Sequence, residues 1–330
     1  MTQMVRAAAL TNYIEVAQQV GLDPFALLSR AGLSSAALEN PDNRIAATAV
    51  LNLLEESAHA AHCPTFGLRM AETRQIADFG AISLLFTHQR TLREVLLAMI
   101  HYRHLLNEAL LLHVEDAGKH VIIREELVLD QKVHSRQATE LVLGVLARAG
   151  SALLGGHWNP YRVLFTHDAP PDVQLHRRVF NCELEFGGEY NGFVCAAADL
   201  DYPCAAANPA LARYAEQLLE ALPNQQIRST TAEVREAIYL LLPMGRGTVD
   251  QVAQSLAVNV RTLQRQLEEE GSTFSDIVNS VRRELAVRYV ESKNYSLGHV
   301  AELLGYATQT SFTRWFKAEF GVAPMNYRKQ

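Results

Sequence analysis

In the stretch Gly305-Tyr-Ala-Thr-Gln-Thr-Ser-Phe-Thr-Arg-Trp-Phe-Lys-Ala-Glu-Phe-Gly-Val-Ala-Pro-Met-Asn-Tyr-Arg328, four aromatic residues recur at helical spacing. Phe312, Trp315, Phe316 and Phe320 stand at i, i+3, i+4 and i+8, a strong apolar face for a helix running from Thr308 to Phe320. Gly321 suits its end, and Pro324 opens a final short helix. Upstream, Ser296 suits the cap of a helix from Leu297 to Leu304, with Gly305-Tyr306 as the turn between the two. Two short amphipathic helices around a tight turn make a helix-turn-helix unit. Gln309, Thr310, Thr313, Arg314 and Lys317 fall opposite the aromatic face, where a recognition helix offers side chains to a duplex.

The same pattern occurs once before. Thr248 suits an N-cap, with Gln251 placed for a capping box, and Val249, Val252, Ala253 and Leu256 form one apolar face. Val258-Asn259 interrupts the helix; Val260, Leu263 and Leu267 restart it, and Gly271 ends it. The second helix turns Asn259, Arg261, Thr262, Gln264 and Arg265 outward. Arginine can grip guanine in a bidentate fork and glutamine can do the same for adenine. Glu268, Glu269 and Glu270 trail at the far end, away from phosphate. A helix from Phe274 to Glu291 joins the units and extends about 27 Å at 1.5 Å per residue, against about 34 Å between successive major-groove faces.

The 24-residue run quoted first resembles the signature of the AraC/XylS family of bacterial regulators, in which Gly305, Tyr306, Phe312, Arg314, Phe316, Lys317, Gly321, Pro324, Tyr327 and Arg328 occupy signature positions. The unit containing Leu263-Gln264-Arg265 is similar to the first unit of that family, one residue shorter before Gly271. The resemblance implies a sequence-specific DNA-binding transcription regulator that works as a homodimer on double-stranded DNA, with RNA polymerase as a further candidate partner.

Ahead of residue 223 the pattern is mixed. Ala7 to Val20, Phe25 to Ala31 and Ile45 to His62 read as helices, as does Leu92 to Leu106 behind a Thr91-x-x-Glu94 capping box. Leu110 to Val114 and Val121 to Arg124 read as a hairpin around Asp116-Ala-Gly-Lys119. Helices from Arg136 to Leu154 and from Asp172 to Phe180 follow, with strands at Arg162–Thr166, Leu184–Phe186 and Gly192–Cys195. The expected fold is an α+β N-terminal domain over residues 1–222 with a largely antiparallel sheet. An all-α C-terminal domain over 223–330 follows the polar stretch Leu222 to Thr231. The order of Thr91-Leu-Arg-Glu, a tyrosine-containing helix, the hairpin, Gly156-His-Trp-Asn-Pro160 and Phe186-Gly187 resembles the arabinose-binding type of N-terminal domain found in ornithine-utilisation and related regulators. That likeness implies sensing of a small-molecule effector, and His101, Tyr102, His157 and Trp158 are the candidate pocket residues.

Composition bounds these readings. The chain has 330 residues, 48% hydrophobic and 20% charged, which suits folded domains rather than disorder. Its net charge of −6 is unevenly spread: from Ile227 on, 13 Lys and Arg face 11 Asp and Glu, while the remainder carries 17 against 25. The acidic excess therefore lies outside the segment expected to meet phosphate. Cys63, Cys182, Cys195 and Cys204 form no C-x-x-C pair, and no secretory or membrane-spanning segment is evident, so free thiols in the cytoplasm are expected. His101 and His104 are at i, i+3, but only Glu108 stands near enough to complete a set, and no metal or cofactor is expected. No G-x-S-x-G, P-loop or GxGxxG occurs, and no catalytic residue is assigned. Two other readings remain: a constitutive or architectural DNA-binding protein whose first domain only dimerises, and an enzyme fused to a DNA-binding module.

Overall fold

A computed structural model describes residues 3–129, 133–222, 229–292 and 295–329. Two compact units emerge, residues 1–223 and 224–330.

The first unit is α+β. Strands β1 (Met4–Arg6) and β2 (Arg44–Ala46) pair antiparallel. The main sheet contains β3 (Leu110–Ala117), β4 (His120–Leu127), β5 (Arg162–Phe165), β6 (Glu183–Phe186) and β7 (Asn191–Ala196), in the order β3-β4-β7-β5-β6. The hairpin is longer than its sequence pattern suggested: Ala117 pairs with His120, leaving Gly118-Lys119 as a two-residue turn with Gly118 at φ 72. Three pairings are antiparallel and β5–β6 is parallel, the crossover passing through the Gln174–Phe180 helix.

The Arg136–Leu154 helix packs across this unit. It is long and apolar enough, by length and composition alone, to cross a bilayer, but most of it is buried inside this unit, as in the core helix of a globular protein. Its buried Gln137 ties it to the Phe66–Ala71 helix: the amide oxygen accepts Gly67 N–H at 2.9 Å and the amide nitrogen donates to Pro64 O at 3.0 Å. A Cβ on Gly67 would lie 2.0 Å from Gln137 O, so only glycine permits this approach. Burial pushes the Cys182 and Cys195 thiols up to about 11 and about 12, so both stay protonated at neutral pH.

Tertiary contacts redraw three helices read from the sequence. Ala7 to Val20 is not one helix: a 3-10 turn, Ala7–Leu10, precedes Tyr13–Gln19, and Asn12 between them is left-handed at φ 63. The buried guanidinium of Arg74 takes the carbonyls of Ala8 and Ala9, which a continuous helix would need for itself. Leu92 to Leu106 breaks at Tyr102 into Leu92–His101 and a single turn, Arg103–Leu106. Thr91 Oγ1 accepts Glu94 N–H as expected, but the Glu94 carboxylate accepts from the backbone and side chain of Arg90 instead of closing the box on Thr91. The segment from Ile45 begins as strand β2, and its helix runs Ala47–Ala60. A helix absent from the sequence reading, Pro209–Glu220, starts at a clear signal: the Asn208 side chain accepts from Ala210 and Leu211 N–H, with proline at the first position.

The second unit is helical throughout its described residues. Thr230–Leu241 packs on Phe274–Glu291, and both helix-turn-helix pairs close around them. Part of the polar stretch 222–231 lies outside the described residues; Ser229 already caps the first helix. One core serves the whole unit, running from Val234 through Leu263, Leu267 and Val281 to Phe312 and Phe316.

Candidate nucleic-acid interface

Each helix-turn-helix pair is built by local signals. In the first, the Thr248–Gln251 capping box forms in both directions and starts Val249–Ser255. Ala257, left-handed at φ 55, makes the turn. Asn259 then caps Val260–Glu269, its side-chain oxygen accepting Thr262 N–H at 2.8 Å. In the second, Ser296 caps Leu297–Leu303, Gly305 turns the chain at φ 74, and Thr308 caps Gln309–Phe320.

The second helix of each pair buries one face and exposes the other. Leu263 and Leu267 are buried in the first; Phe312 and Phe316 are fully buried in the second, in an aromatic cluster with Trp315, Phe320 and Tyr327. Arg261, Gln264 and Arg265 are exposed and Thr262 is half-buried. Asn259 has its carbonyl oxygen engaged as a cap, which leaves its amide to reach outward. Arg265 lies 3.6 Å from Glu269 in an exposed i, i+4 pair, an interaction worth at most about 1 kcal/mol and readily exchanged for a phosphate or base. On the other helix Gln309, Thr310, Arg314 and Lys317 are exposed and Thr313 is half-buried. Thr310, Arg314 and Lys317 follow i, i+4, i+7 and so share a face.

The basic residues of this unit divide by role. Arg235 pairs with Glu284 at 2.7 Å, Arg283 pairs with Glu319, Arg282 donates to Leu304 O at 3.1 Å, and Arg328 donates to Val290 O at 2.8 Å. These four hold helices together. Arg261 and Arg314 are exposed without such ties, so each outward face carries a guanidinium open to a ligand.

Glu270 has a structural role that spacing did not reveal. Its carboxylate accepts from Ser229 Oγ at 2.7 Å, Thr230 N–H at 2.7 Å and Thr231 N–H at 2.8 Å, at the start of the Thr230–Leu241 helix. Thr231 and Ser229, with the backbone N–H groups, hold its carboxyl at about 2. Its partners lie about forty residues back along the chain, so nothing local signals them.

In the first unit the four candidate effector residues do not converge on one cavity. His101 is exposed with its ring edge-on to that of buried Tyr102 at 4.5 Å. His157 is exposed and stacks on Tyr202 at 3.8 Å. Trp158 is buried against Phe193 and Gly150, and lines only a small cavity. Glu108, the third member of the notional metal set, is already engaged: its oxygens accept from Arg44 Nη2 and Met4 N–H, each at 2.8 Å. A cavity of about 140 Å³ lies elsewhere, between the Ala7–Leu10 turn, the Met99–Asn107 region and the Leu141–Leu146 stretch of the central helix, with a chamber of about 150 Å³ adjoining it. Its residues are scattered from Val5 to Leu146, which is why sequence spacing does not reveal it.

Against known families, residues 21–204 match the arabinose-binding domain of AraC transcription regulators, N-terminal, and residues 252–330 match a helix-turn-helix domain. The transcriptional regulator VirS of Mycobacterium tuberculosis is 29% identical over 98% of this chain and 96% of its own length. The ornithine utilization regulator of Pseudomonas aeruginosa is 26% identical over 99% and 97%. The solved structure of the transcriptional regulator CdpR from P. aeruginosa covers 93% of this chain and 97% of its own at 20% identity, with a TM-score of 0.45.

Proposed function

Because this chain belongs to the AraC family of transcription regulators, we propose that it reads a specific duplex sequence with the Val260–Glu269 and Gln309–Phe320 helices, under the control of a small molecule held in its N-terminal unit. The observation that carries the DNA reading is the split of the Gln309–Phe320 helix. Phe312 and Phe316 anchor one face with no exposure, while Arg314 and Lys317 stand free on the other. An anchored helix holds its outward side chains in fixed register, which base-edge readout needs. Arg314 and Arg265 are the bidentate candidates, with Asn259, Arg261, Thr262, Gln264, Gln309, Thr310, Thr313 and Lys317 around them. No residue is assigned a catalytic role, and the cytoplasm, on the nucleoid when DNA is bound, is the proposed location.

A homodimer is the proposed working form. On the Pro209–Glu220 helix, Ala212, Ala215 and Leu219 are buried, while Leu211, Tyr214 and Leu218 are 44%, 66% and 55% exposed at i, i+3 and i+7. An apolar stripe of that period suits pairing with the same stripe of a second copy, and a dimer doubles the few specific contacts that a weakly basic unit can make. RNA polymerase is the further proposed partner at a promoter.

Selection of bound sequences from a random duplex pool tests the reading. A defined motif is expected, with affinity falling steeply as salt rises. Arg314→Ala is expected to relax preference at one or two positions at a cost of roughly 1–3 kcal/mol. Binding with no preference over random duplex would overturn it.

A further inference from the structure

Arg74 is 94% removed from solvent by its 6% relative exposure, and it borders the 140 Å³ cavity of the N-terminal unit. Its two Nη atoms donate to the carbonyls of Ala8 and Ala9, while Nε, buried as well, has no partner. Among the described residues no carboxylate forms an ion pair with it. Burial holds its pKa down at about 10, against a weak opposing pull from Asp78. A buried cation facing a cavity without a counter-ion is a costly arrangement that a bound anion relieves.

The other polar groups at the rim are engaged. Arg6 is held by Asp42 and by the Asp78 carbonyl, Asn107 Oδ1 accepts Ala109 N–H, and the Asp78 carboxylate accepts Gln75 N–H at 2.8 Å. Arg103 Nη1 donates to Glu108 O at 3.1 Å, Gln75 also lines the cavity, and most of the remaining wall is apolar, including Met99, Ile100, Leu112, Leu141, Val142 and Leu146. Such a lining offers few partners for the hydroxyls of a sugar, each of which needs a hydrogen bond when buried. A second chamber of about 150 Å³ shares Arg74, Gln75, Phe79 and Val145 with the first, so Arg74 borders both.

We infer that this cavity is the effector site and that its ligand is a small monocarboxylate, with an apolar body among Ile100, Leu141 and Val142 and its carboxylate on Arg74. The inference rests on the effector-responsive reading above and gives it a chemical class. Size follows from volume: a dry cavity of roughly 150 Å³ admits a benzene-sized body, so about six carbons fit beside the carboxylate. Arginine is suited to the head group because its planar fork meets both carboxylate oxygens. The ligand would also brace the wall: Arg74 grips the Ala7–Leu10 turn, and Arg148 Nε donates to Arg74 O at 2.9 Å, linking the site to the central helix.

The test is calorimetric titration of the full chain with hexanoate and benzoate, beside hexanol, benzyl alcohol, hexylamine and arabinose. The carboxylates are expected to bind saturably, roughly tenfold or more tighter than the matching alcohols, as a charge-assisted contact implies. Arg74→Met is expected to shrink that preference to within about twofold, and Arg74→Lys to keep part of it. Since Arg74 also ties down the Ala7–Leu10 turn, Val142→Phe supplies an independent probe: it fills the chamber, leaves the arginine, and is expected to abolish binding with no loss of thermal stability. Equal binding of alcohols and carboxylates, preference for the amine or the sugar, no binding by any carboxylate, or unaltered hexanoate binding in Val142→Phe would each overturn the inference. Affinity for a selected duplex separates the two levels. If arabinose or the amine alters it and the carboxylates do not, the carboxylate assignment falls and effector control stands. If hexanoate binds as described with duplex affinity unchanged, the cavity binds carboxylates and effector control falls.

Discussion

Replacing Glu270 by alanine removes the acceptor for the hydroxyl of Ser229 and the N–H groups of Thr230 and Thr231 at the start of the Thr230–Leu241 helix. Losing an N-cap acceptor destabilises a protein by about 0.5–2 kcal/mol. Here one ionised carboxylate serves three donors, but on the surface, where water replaces part of what is lost; about 1–2 kcal/mol is expected. The chain has two tryptophans, Trp158 in the first unit and Trp315 in the second, so in a Trp158→Phe background the fluorescence of Trp315 reports the C-terminal unit alone. With a urea slope of about 1–3 kcal/mol per molar, the midpoint of that transition should fall by roughly 0.5–1 M. Glu269→Ala, which removes only the exposed pair with Arg265, is the control and should shift it little. The carboxyl of Glu270 titrates at about 2 in the folded chain against 4.5 ordinarily. A depressed pKa contributes stability that is complete above the unfolded value and is lost as pH falls through the folded one. The gap between wild type and Glu270→Ala should therefore be full at pH 6 and narrow from about pH 5 toward pH 2. Equal shifts for the two variants, or a gap that persists unchanged at pH 2, would refute the capping role.

Three further outcomes follow from the packing. Phe316→Ala, at a fully buried site in the aromatic cluster, should destabilise by about 3–5 kcal/mol and abolish both the Trp315 transition and duplex binding; native affinity in this variant would contradict the anchoring argument. Gly80→Ala should lose about 1–3 kcal/mol, because Gly80 sits at φ 72, ψ −141 and a Cβ would lie 2.3 Å from Arg6 Nη2; pairing it with Arg6→Ala should recover the steric part only, measured as coupling in a double-mutant cycle. Leu218→Glu should leave the circular dichroism spectrum unchanged while shifting sedimentation from dimer to monomer, and an unshifted profile would place the dimer contact elsewhere.

Much of the C-terminal unit is legible in the sequence because its decisive signals are local. Thr248 with Gln251, Asn259, Ser296 and Thr308 each act on a backbone N–H two or three residues away, and the period of Phe312, Phe316 and Phe320 states which face is buried. Capping and periodicity need no knowledge of the rest of the chain. Arg136 to Leu154 is legible as a long apolar run without a proline, although no side chain caps it, and the hairpin strands are legible from the Gly118-Lys119 turn between two apolar stretches.

What the tertiary structure alone decides involves partners distant in sequence. The Ala7 to Val20 segment has helical composition, but Arg74, more than sixty residues away, claims its early carbonyls and the helix yields to a 3-10 turn. Glu270 reads as one of three trailing acids until the fold brings it to Ser229, where it becomes a cap. The parallel pairing of β5 with β6 is invisible in two strands that read like any others. The outward faces of the two recognition helices were thus determined by the sequence itself, since helical geometry alone sorts Arg314 from Phe316. The cavity at Arg74 was not, because an enclosed volume is a property of segments meeting, and no segment carries it alone.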